Sequence, residues 1–236
     1  DTMVTSFGEV KEKGAWTIAG WSTDENFLKT DKNYNCGELG CAFVTAYNMR
    51  TDQFIDSWVV GNAESAINVA TSEYSMTAAV LFRMRADELT GGDAEKRRMM
   101  VGFVDWSKPS KRNLTAQFST QTSAVMDFYF SNGDATSGFS QIALLANDRL
   151  HVMVTDSSVR ASSDYILHLQ KDQNSGQTII SKAQEFVTGE GLAVPTYKIN
   201  QGWGWDETNT IQLTTHTIPK DKTDIDGSST VKRITP

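Results

Sequence analysis

The stretch that decides the fold is MTAAVLFRMR, residues 76–85. Its even-numbered positions are all apolar, whereas its odd-numbered positions include Thr77, Arg83 and Arg85. Successive side chains of a β-strand point to opposite faces of a sheet, so this alternation is typical of a strand with one buried and one solvated face. We therefore expect a half-buried strand here.

The same period of two recurs along the chain. It predicts strands at residues 124–130, 150–154, 165–169 and 211–213. Further strands are predicted at residues 15–21, 41–48, 54–60, 99–106, 114–119, 138–145, 178–182 and 196–200. Between them lie turn sequences such as Asn132-Gly133 and Gly91-Gly92, whose residues adopt the positive φ angles that hairpins require.

Many short strands separated by turns favour an all-β fold, namely an antiparallel β-sandwich or barrel, jelly-roll-like, with long loops and little helix. Helix signals are few: residues 62–72 are rich in alanine and are expected to form one or two helical turns. A chain of 236 residues suits one such domain. We expect residues 1–219 to form it and residues 220–236 to be a polar C-terminal tail. Both ends are interpreted as cuts in a longer polypeptide.

The charge balance argues against two classes of partner. Lys and Arg number 22 and Asp and Glu number 29, for a net charge of −7. Nucleic-acid binding relies on a basic face that contacts many phosphates, so nucleic acid is not an expected partner. No apolar run approaches the roughly 20 residues that span a bilayer, so membrane insertion is not expected.

The two cysteines, Cys36 and Cys41, bracket the segment Gly37-Glu38-Leu39-Gly40. A disulfide between them would close a tight loop with a glycine beside each cysteine, so they are a candidate pair. Free buried thiols are the slightly favoured alternative. Two thiols without neighbouring histidines cannot complete a four-ligand zinc site, so no metal site is predicted.

The sequence contains no complete catalytic motif, so no catalytic residue is predicted. The segment Gly138-Phe139-Ser140-Gln141-Ile142 holds only the first half of the serine-hydrolase turn sequence. The three histidines, His151, His168 and His216, are expected on the solvated faces of strands, where catalysis is the less favoured interpretation. We therefore predict a protein that is not an enzyme and has no cofactor.

Two loop regions are candidates for receptor or glycan binding. Indole rings stack on the C–H faces of sugars, although packing of two nearby indoles on one sheet face is the favoured alternative. The candidates are Trp203, Trp205, Asp206 and Glu207, together with Asn132 and Asp134 in a predicted turn. Further indoles that could act as platforms are Trp16, Trp21, Trp58 and Trp106.

In its length, its β-rich character and its truncated ends, the chain resembles the projection, or spike, domain of small non-enveloped RNA virus capsids. The resemblance is to astrovirus spikes, especially the avian kind. It lies in overall character rather than in a motif, so no site residues are transferred. It implies a homodimer on the virion surface that contacts a host-cell receptor and antibodies.

Two alternatives belong to other classes of protein. The first is a carbohydrate-active enzyme or a lectin-like carbohydrate-binding module, for which the cluster Trp203 to Glu207 is the supporting feature. The second is a phage or bacterial adhesin, which would share the binding role but act on a different host. Outside a virion, an extracellular location is expected.

Overall fold

The structure is a computed structural model. It describes residues 1–24, 40–72, 76–84, 97–106, 114–121, 128–130, 141–145, 149–156, 161–190, 192–197, 211–218 and 228–234. Within these ranges the chain is built from β-strands, with a single turn of 3₁₀ helix at Lys11–Lys13 that ends at Gly14 with a φ of 62°.

The strands form four antiparallel sheets. The first sheet contains β1 (Thr2–Val10), β2 (Ala15–Ser22), β3 (Cys41–Asn48) and β4 (Gln53–Val60). The second contains β5 (Ala63–Ser72), β6 (Thr77–Met84), β7 (Arg97–Asp105) and β8 (Gln117–Gln121), and β9 (Phe128–Phe130) pairs with β7. The third contains β10 (Gln141–Leu145), β11 (Arg149–Asp156), β12 (Ala161–Lys171) and β13 (Thr178–Glu190). The fourth contains β14 (Leu192–Tyr197), β15 (Ile211–Ile218) and β16 (Ser228–Ile234).

The prediction of an all-β antiparallel fold with little helix is confirmed. Within each described sheet, strands pair with their neighbours in chain order, except that β9 pairs with β7, so these sheets are meanders. A jelly roll is instead built from Greek keys. Residues 228–234 form a sheet strand, whereas a polar tail was expected there.

The second sheet lies between the first and the third and is buried on both faces. One face packs Val80, Phe82 and Val104 against alanines and valines of the first sheet. The other packs Leu81 and Phe103 against the third sheet. The core therefore consists of two apolar layers, one on each side of the second sheet.

The expectation of a solvated face on β6 is therefore wrong. Ala79 and Leu81, at odd positions of this strand, are both fully buried. The continuous apolar run from Ala78 to Phe82 is the pattern of a strand covered on both sides. Arg83 lies near the end of the strand, where its Nε is 2.9 Å from Glu64 Oε2.

The expectation of helical turns at residues 62–72 is also wrong, because this segment forms β5. Its alanines Ala63 and Ala66 are fully or almost fully buried against the first sheet. Small side chains allow β1 to approach closely: a Cβ added to Gly8 would lie 2.5 Å from Thr71 Cγ2. Tertiary packing has overridden the helix propensity of alanine.

The first strands of the first three sheets lie side by side, with β5 between β1 and β10. Side chains rather than a backbone ladder join them. The bonds are Thr5 Oγ1 to the Ala66 carbonyl (2.7 Å), Val69 N–H to Ser6 Oγ (3.0 Å), Thr71 Oγ1 to the Glu9 carbonyl (3.0 Å) and Ile142 N–H to Asn68 Oδ1 (3.4 Å). The first three meanders are therefore joined through their first strands.

A buried carboxylate links the second and third sheets at one end of their interface. Asp105 is 2% exposed and accepts hydrogen bonds from Thr77 Oγ1 at 3.0 Å and from the Thr178 N–H at 3.2 Å. The Thr178 hydroxyl donates to the same carboxylate at 2.9 Å, and Lys171 Nζ forms an ion pair with it. Strands β6, β7, β12 and β13 thus converge on one side chain.

Candidate functional site

The binding residues predicted from the sequence lie outside the described residues. They are Trp203, Trp205, Asp206, Glu207, Asn132 and Asp134. Their roles stay predictions.

Cys41 is disulfide-bonded and only 2% exposed. The favoured expectation of free thiols is therefore wrong for this residue. Cys36, the other cysteine of the chain, lies outside the described residues.

The histidines differ from one another in their surroundings. His151 is fully buried, so the expectation that it lies on a solvated face is wrong. His168 is half-buried on β12. The pKa of His168 is lowered from its usual value, first by partial burial and then by the positive charges of Arg149 and Lys182.

Two of the candidate indole platforms have structural roles instead. Trp106 is fully buried and donates its indole N–H to Thr17 Oγ1 at 3.1 Å, which ties the second sheet to the first. Trp58 packs against the core and stacks on Phe118 with ring centroids 5.4 Å apart. Neither ring is presented as an open surface.

An aromatic surface lies on the outer side of the first sheet, and we call it the aromatic face. It consists of Phe7, Trp16, Tyr47 and Phe54. Trp16 pairs with Tyr47, and Tyr47 with Phe54, so three adjacent strands place these rings in one row. Phe7 stacks flat on Trp16, with centroids 5.2 Å apart and an interplanar angle of 8°. Phe54 is tilted by 60° against Tyr47 at 5.0 Å.

The two faces of the first sheet differ in composition because its strands alternate. On β2, Ala15, Thr17 and Ala19 are fully buried toward the second sheet, whereas Trp16 between them points outward. Phe7 is 59% exposed and Phe54 71% exposed. Every exposed large apolar side chain among the described residues lies in this sheet or its turns, the others being Met3, Val4 and Met49. Phe7 and Phe54 therefore present exposed apolar rings on the outer side of the first sheet, which makes this surface a candidate interaction site.

Carboxylates lie at the border of the aromatic face. Glu9 pairs with Trp16 at one end of the row. Near the other end, the Tyr47 hydroxyl donates a hydrogen bond to Asp52 Oδ1, which raises the pKa of Tyr47, and the negative charge of Asp52 acts in the same direction. Asp52 itself has a positive φ of 53° in the turn before β4. The face therefore combines flat apolar rings with hydrogen-bond acceptors.

The described residues bring together no group of three side chains suited to hold a metal ion. Within the same ranges, no helix has the length and apolar character that crossing a bilayer demands.

No protein-family model and no curated protein matches the chain. Among solved structures, the X-ray structure of a hypothetical selenium-binding protein from Sulfolobus tokodaii is similar to it, with 9% sequence identity and a TM-score of 0.25. The match covers 78% of this chain and 55% of that chain, so this chain spans about half the length of that protein. At this TM-score the likeness carries no argument about function.

Proposed function

We propose that this protein is a non-enzymatic binding domain that holds a carbohydrate of a host-cell surface on its aromatic face. The observation that carries the proposal is the row formed by Trp16, Tyr47 and Phe54, with Phe7 stacked beside it. Rings presented on three paired strands have fixed spacing. A rigid sheet thus provides an ordered platform instead of a single exposed ring.

The chemistry of the aromatic face fits a sugar. The C–H face of a pyranose ring is apolar and stacks on an aromatic ring, whereas its hydroxyl groups seek acceptors at the edge. Phe7 and Phe54 offer ring surface, and Glu9 and Asp52 offer carboxylate oxygens near both ends of the row. A flat platform of this kind suits an extended glycan chain better than a small enclosed ligand.

The spike role on a virion is one setting for such a domain and stays part of the proposal. Its support is the resemblance in overall character to astrovirus spikes, together with the all-β antiparallel fold. In that setting the domain would be a homodimer, since two-fold symmetry is the commonest form of protein assembly.

A glycan array tests the proposal directly. We expect the wild-type protein to bind a defined set of glycans, and Phe54→Ala to weaken that binding about tenfold, which corresponds to about 1.4 kcal/mol. Phe54→Tyr retains the ring and should bind nearly as well. Gln170→Ala, an exposed change on the third sheet, serves as the control away from the face.

Two results would overturn the proposal. The first is array binding that Phe7→Ala and Phe54→Ala both leave unchanged. The second is turnover of a bound glycan that Glu207→Gln abolishes, because this would make the protein an enzyme.

Sedimentation of the purified protein tests the homodimer. We expect a dimer at micromolar concentration whose mass is unaffected by Phe54→Ala. A monomer would contradict the dimer. A dimer that Phe54→Ala dissociates would instead assign the aromatic face to self-association.

A further inference from the structure

Three basic side chains form a row across the third sheet, and we call it the basic row. Arg149 on β11 pairs with His168 on β12, and His168 pairs with Lys182 on β13. Directly paired residues of antiparallel strands share one face of the sheet, with Cβ atoms about 5 Å apart. The basic row therefore concentrates cationic groups on three adjacent strands of a chain whose net charge is −7.

The scaffold fixes the direction in which the basic row points. Leu150 and Leu167, next to Arg149 and His168 along their strands, are fully buried against the second sheet. The sheet cannot turn over without exposing them. At the β-bulge beside His168, Ser181 Oγ donates to the His168 carbonyl at 3.1 Å, which holds the backbone of the row in place.

The side chains of the basic row have no acidic partner among the described residues. Other cations of this chain do: Arg83 lies beside Glu64, and Lys171 beside Asp105. The positive charges of Arg149 and Lys182, on either side of His168, act to lower its pKa. An anion bound between these side chains would relieve that repulsion.

We propose that the basic row is an oxyanion-binding site, which takes a sulfate, phosphate or carboxylate group. The planar guanidinium of Arg149 can form two parallel hydrogen bonds with such a group, the ammonium of Lys182 adds a point charge, and the imidazole of His168 donates an N–H. The group is carried either by an acidic glycan or by a free inorganic ion. The basic row lies on a different sheet from the aromatic face, so the proposal is independent of the proposed function.

The protonation of His168 reports on occupancy of the basic row. The pKa of His168 is lowered by partial burial and by the charges of Arg149 on β11 and Lys182 on β13. On the same face, His151 lies two residues further along β11 and is fully buried. An oxyanion between the cations would favour the imidazolium form, so binding must raise this pKa.

The test is an NMR titration of the imidazole resonances of the full chain, in sodium chloride and in sodium sulfate of equal ionic strength. We expect the pKa of His168 to be higher in sulfate than in chloride. Arg149→Gln should raise the pKa in chloride, because it removes a repelling charge, and should abolish the further rise in sulfate. Lys13→Gln, which removes a positive charge from the 3₁₀ turn between β1 and β2, should change neither value.

Equal His168 pKa values in chloride and sulfate would overturn the proposal. A sulfate-dependent rise that survives both Arg149→Gln and Lys182→Gln would overturn it as well, because the anion would then bind elsewhere.

A second titration distinguishes the two sources of the oxyanion. It compares inorganic phosphate, a sulfated oligosaccharide and the desulfated form of that oligosaccharide. If the ligand is an acidic glycan, the protein should bind the sulfated oligosaccharide at least tenfold more tightly than phosphate. The desulfated form should then cause no change in the His168 resonances. Equal affinities for phosphate and the sulfated form assign the site to a free ion. Phe54→Ala should alter none of these results, so failure of glycan binding at the aromatic face leaves this test intact.

Discussion

Phe82 in the second sheet and Phe54 in the first are the same residue in opposite surroundings. Phe82 is fully buried between two sheets, whereas Phe54 is 71% exposed at the end of the aromatic face. Both lie in β-strands that alternate side chains across the sheet. What separates them is whether another sheet covers the face on which the ring lies. A buried ring holds the layers together, and an exposed ring on a rigid sheet is available to a ligand.

Replacing each of the two phenylalanines, Phe82 and Phe54, by alanine tests this comparison. Phe82→Ala should lower the free energy of unfolding by about 3–5 kcal/mol, because it leaves a cavity in the core. Phe54→Ala should change it by no more than about 0.5 kcal/mol. Urea denaturation of both variants measures the difference. Comparable losses would mean that the aromatic face is covered in solution.

Removing the polar link between the second and third sheets should cause the next largest loss in the free energy of unfolding. Asp105→Ala would leave the Thr178 N–H and the Thr77 hydroxyl without their buried acceptor, which should cost about 2–3 kcal/mol. Asp105→Asn retains an acceptor oxygen and should lose less. Lys171→Met should have a small effect, because that side chain is 48% exposed. Denaturation curves of the three variants establish the order, and a Lys171 variant as unstable as Asp105→Ala would contradict it.

Substitution of Gly20 tests the close approach of β1 to β2, with Gly61 as the control. A Cβ at Gly20 would lie 2.0 Å from the Met3 carbonyl oxygen, so Gly20→Ala must displace backbone and should cost about 1–3 kcal/mol. Gly61→Ala is the matched control, since nothing lies within 4 Å of its added methyl. Thermal unfolding of both proteins provides the measurement. Equal unfolding temperatures for Gly20→Ala and Gly61→Ala would mean that β1 does not approach β2 this closely.

The smallest expected effect concerns the turn between β12 and β13. Hydrogen bonds from the Ser175 N–H, the Ser175 hydroxyl and the Asn174 N–H lower the pKa of Asp172. The folded state therefore favours the carboxylate form of Asp172. Its contribution to stability is fully present above the pKa that Asp172 has in the unfolded state, and it is lost as the pH falls through the pKa in the folded state. Asp172→Ala should be slightly destabilising at pH 7, and the deficit should shrink in strong acid. A deficit that grows in acid would contradict this sign.

Alternation and turns predicted much of the fold from the sequence. Residues 41–48 form a strand with the predicted bounds, and β2 extends one residue beyond its prediction. Strand β1 was missed, because a register shift between Val4 and Ser6 interrupts its alternation. Strand β5 was missed because its alanines indicate helix in isolation, and only the approach of β1 explains them.

The binding surfaces were harder to predict. Trp16 is recognisable in the sequence as one indole among several, but the residue pattern does not place Phe7 or Phe54 beside it. The basic row was hidden for the same reason, since Arg149 and Lys182 meet at His168 only through the register of three strands and a bulge. Cross-strand register depends on turn geometry and bulges, which residue patterns do not determine alone.

The meander order of the sheets has a consequence for how the chain folds. Because strands pair mainly with their neighbours in sequence, backbone pairing within each sheet joins segments that are closer along the chain than in a Greek-key sheet. Each sheet can therefore take shape while later segments are still emerging from the ribosome. The hydroxyl and amide bonds between the first strands connect each of these sheets to the next.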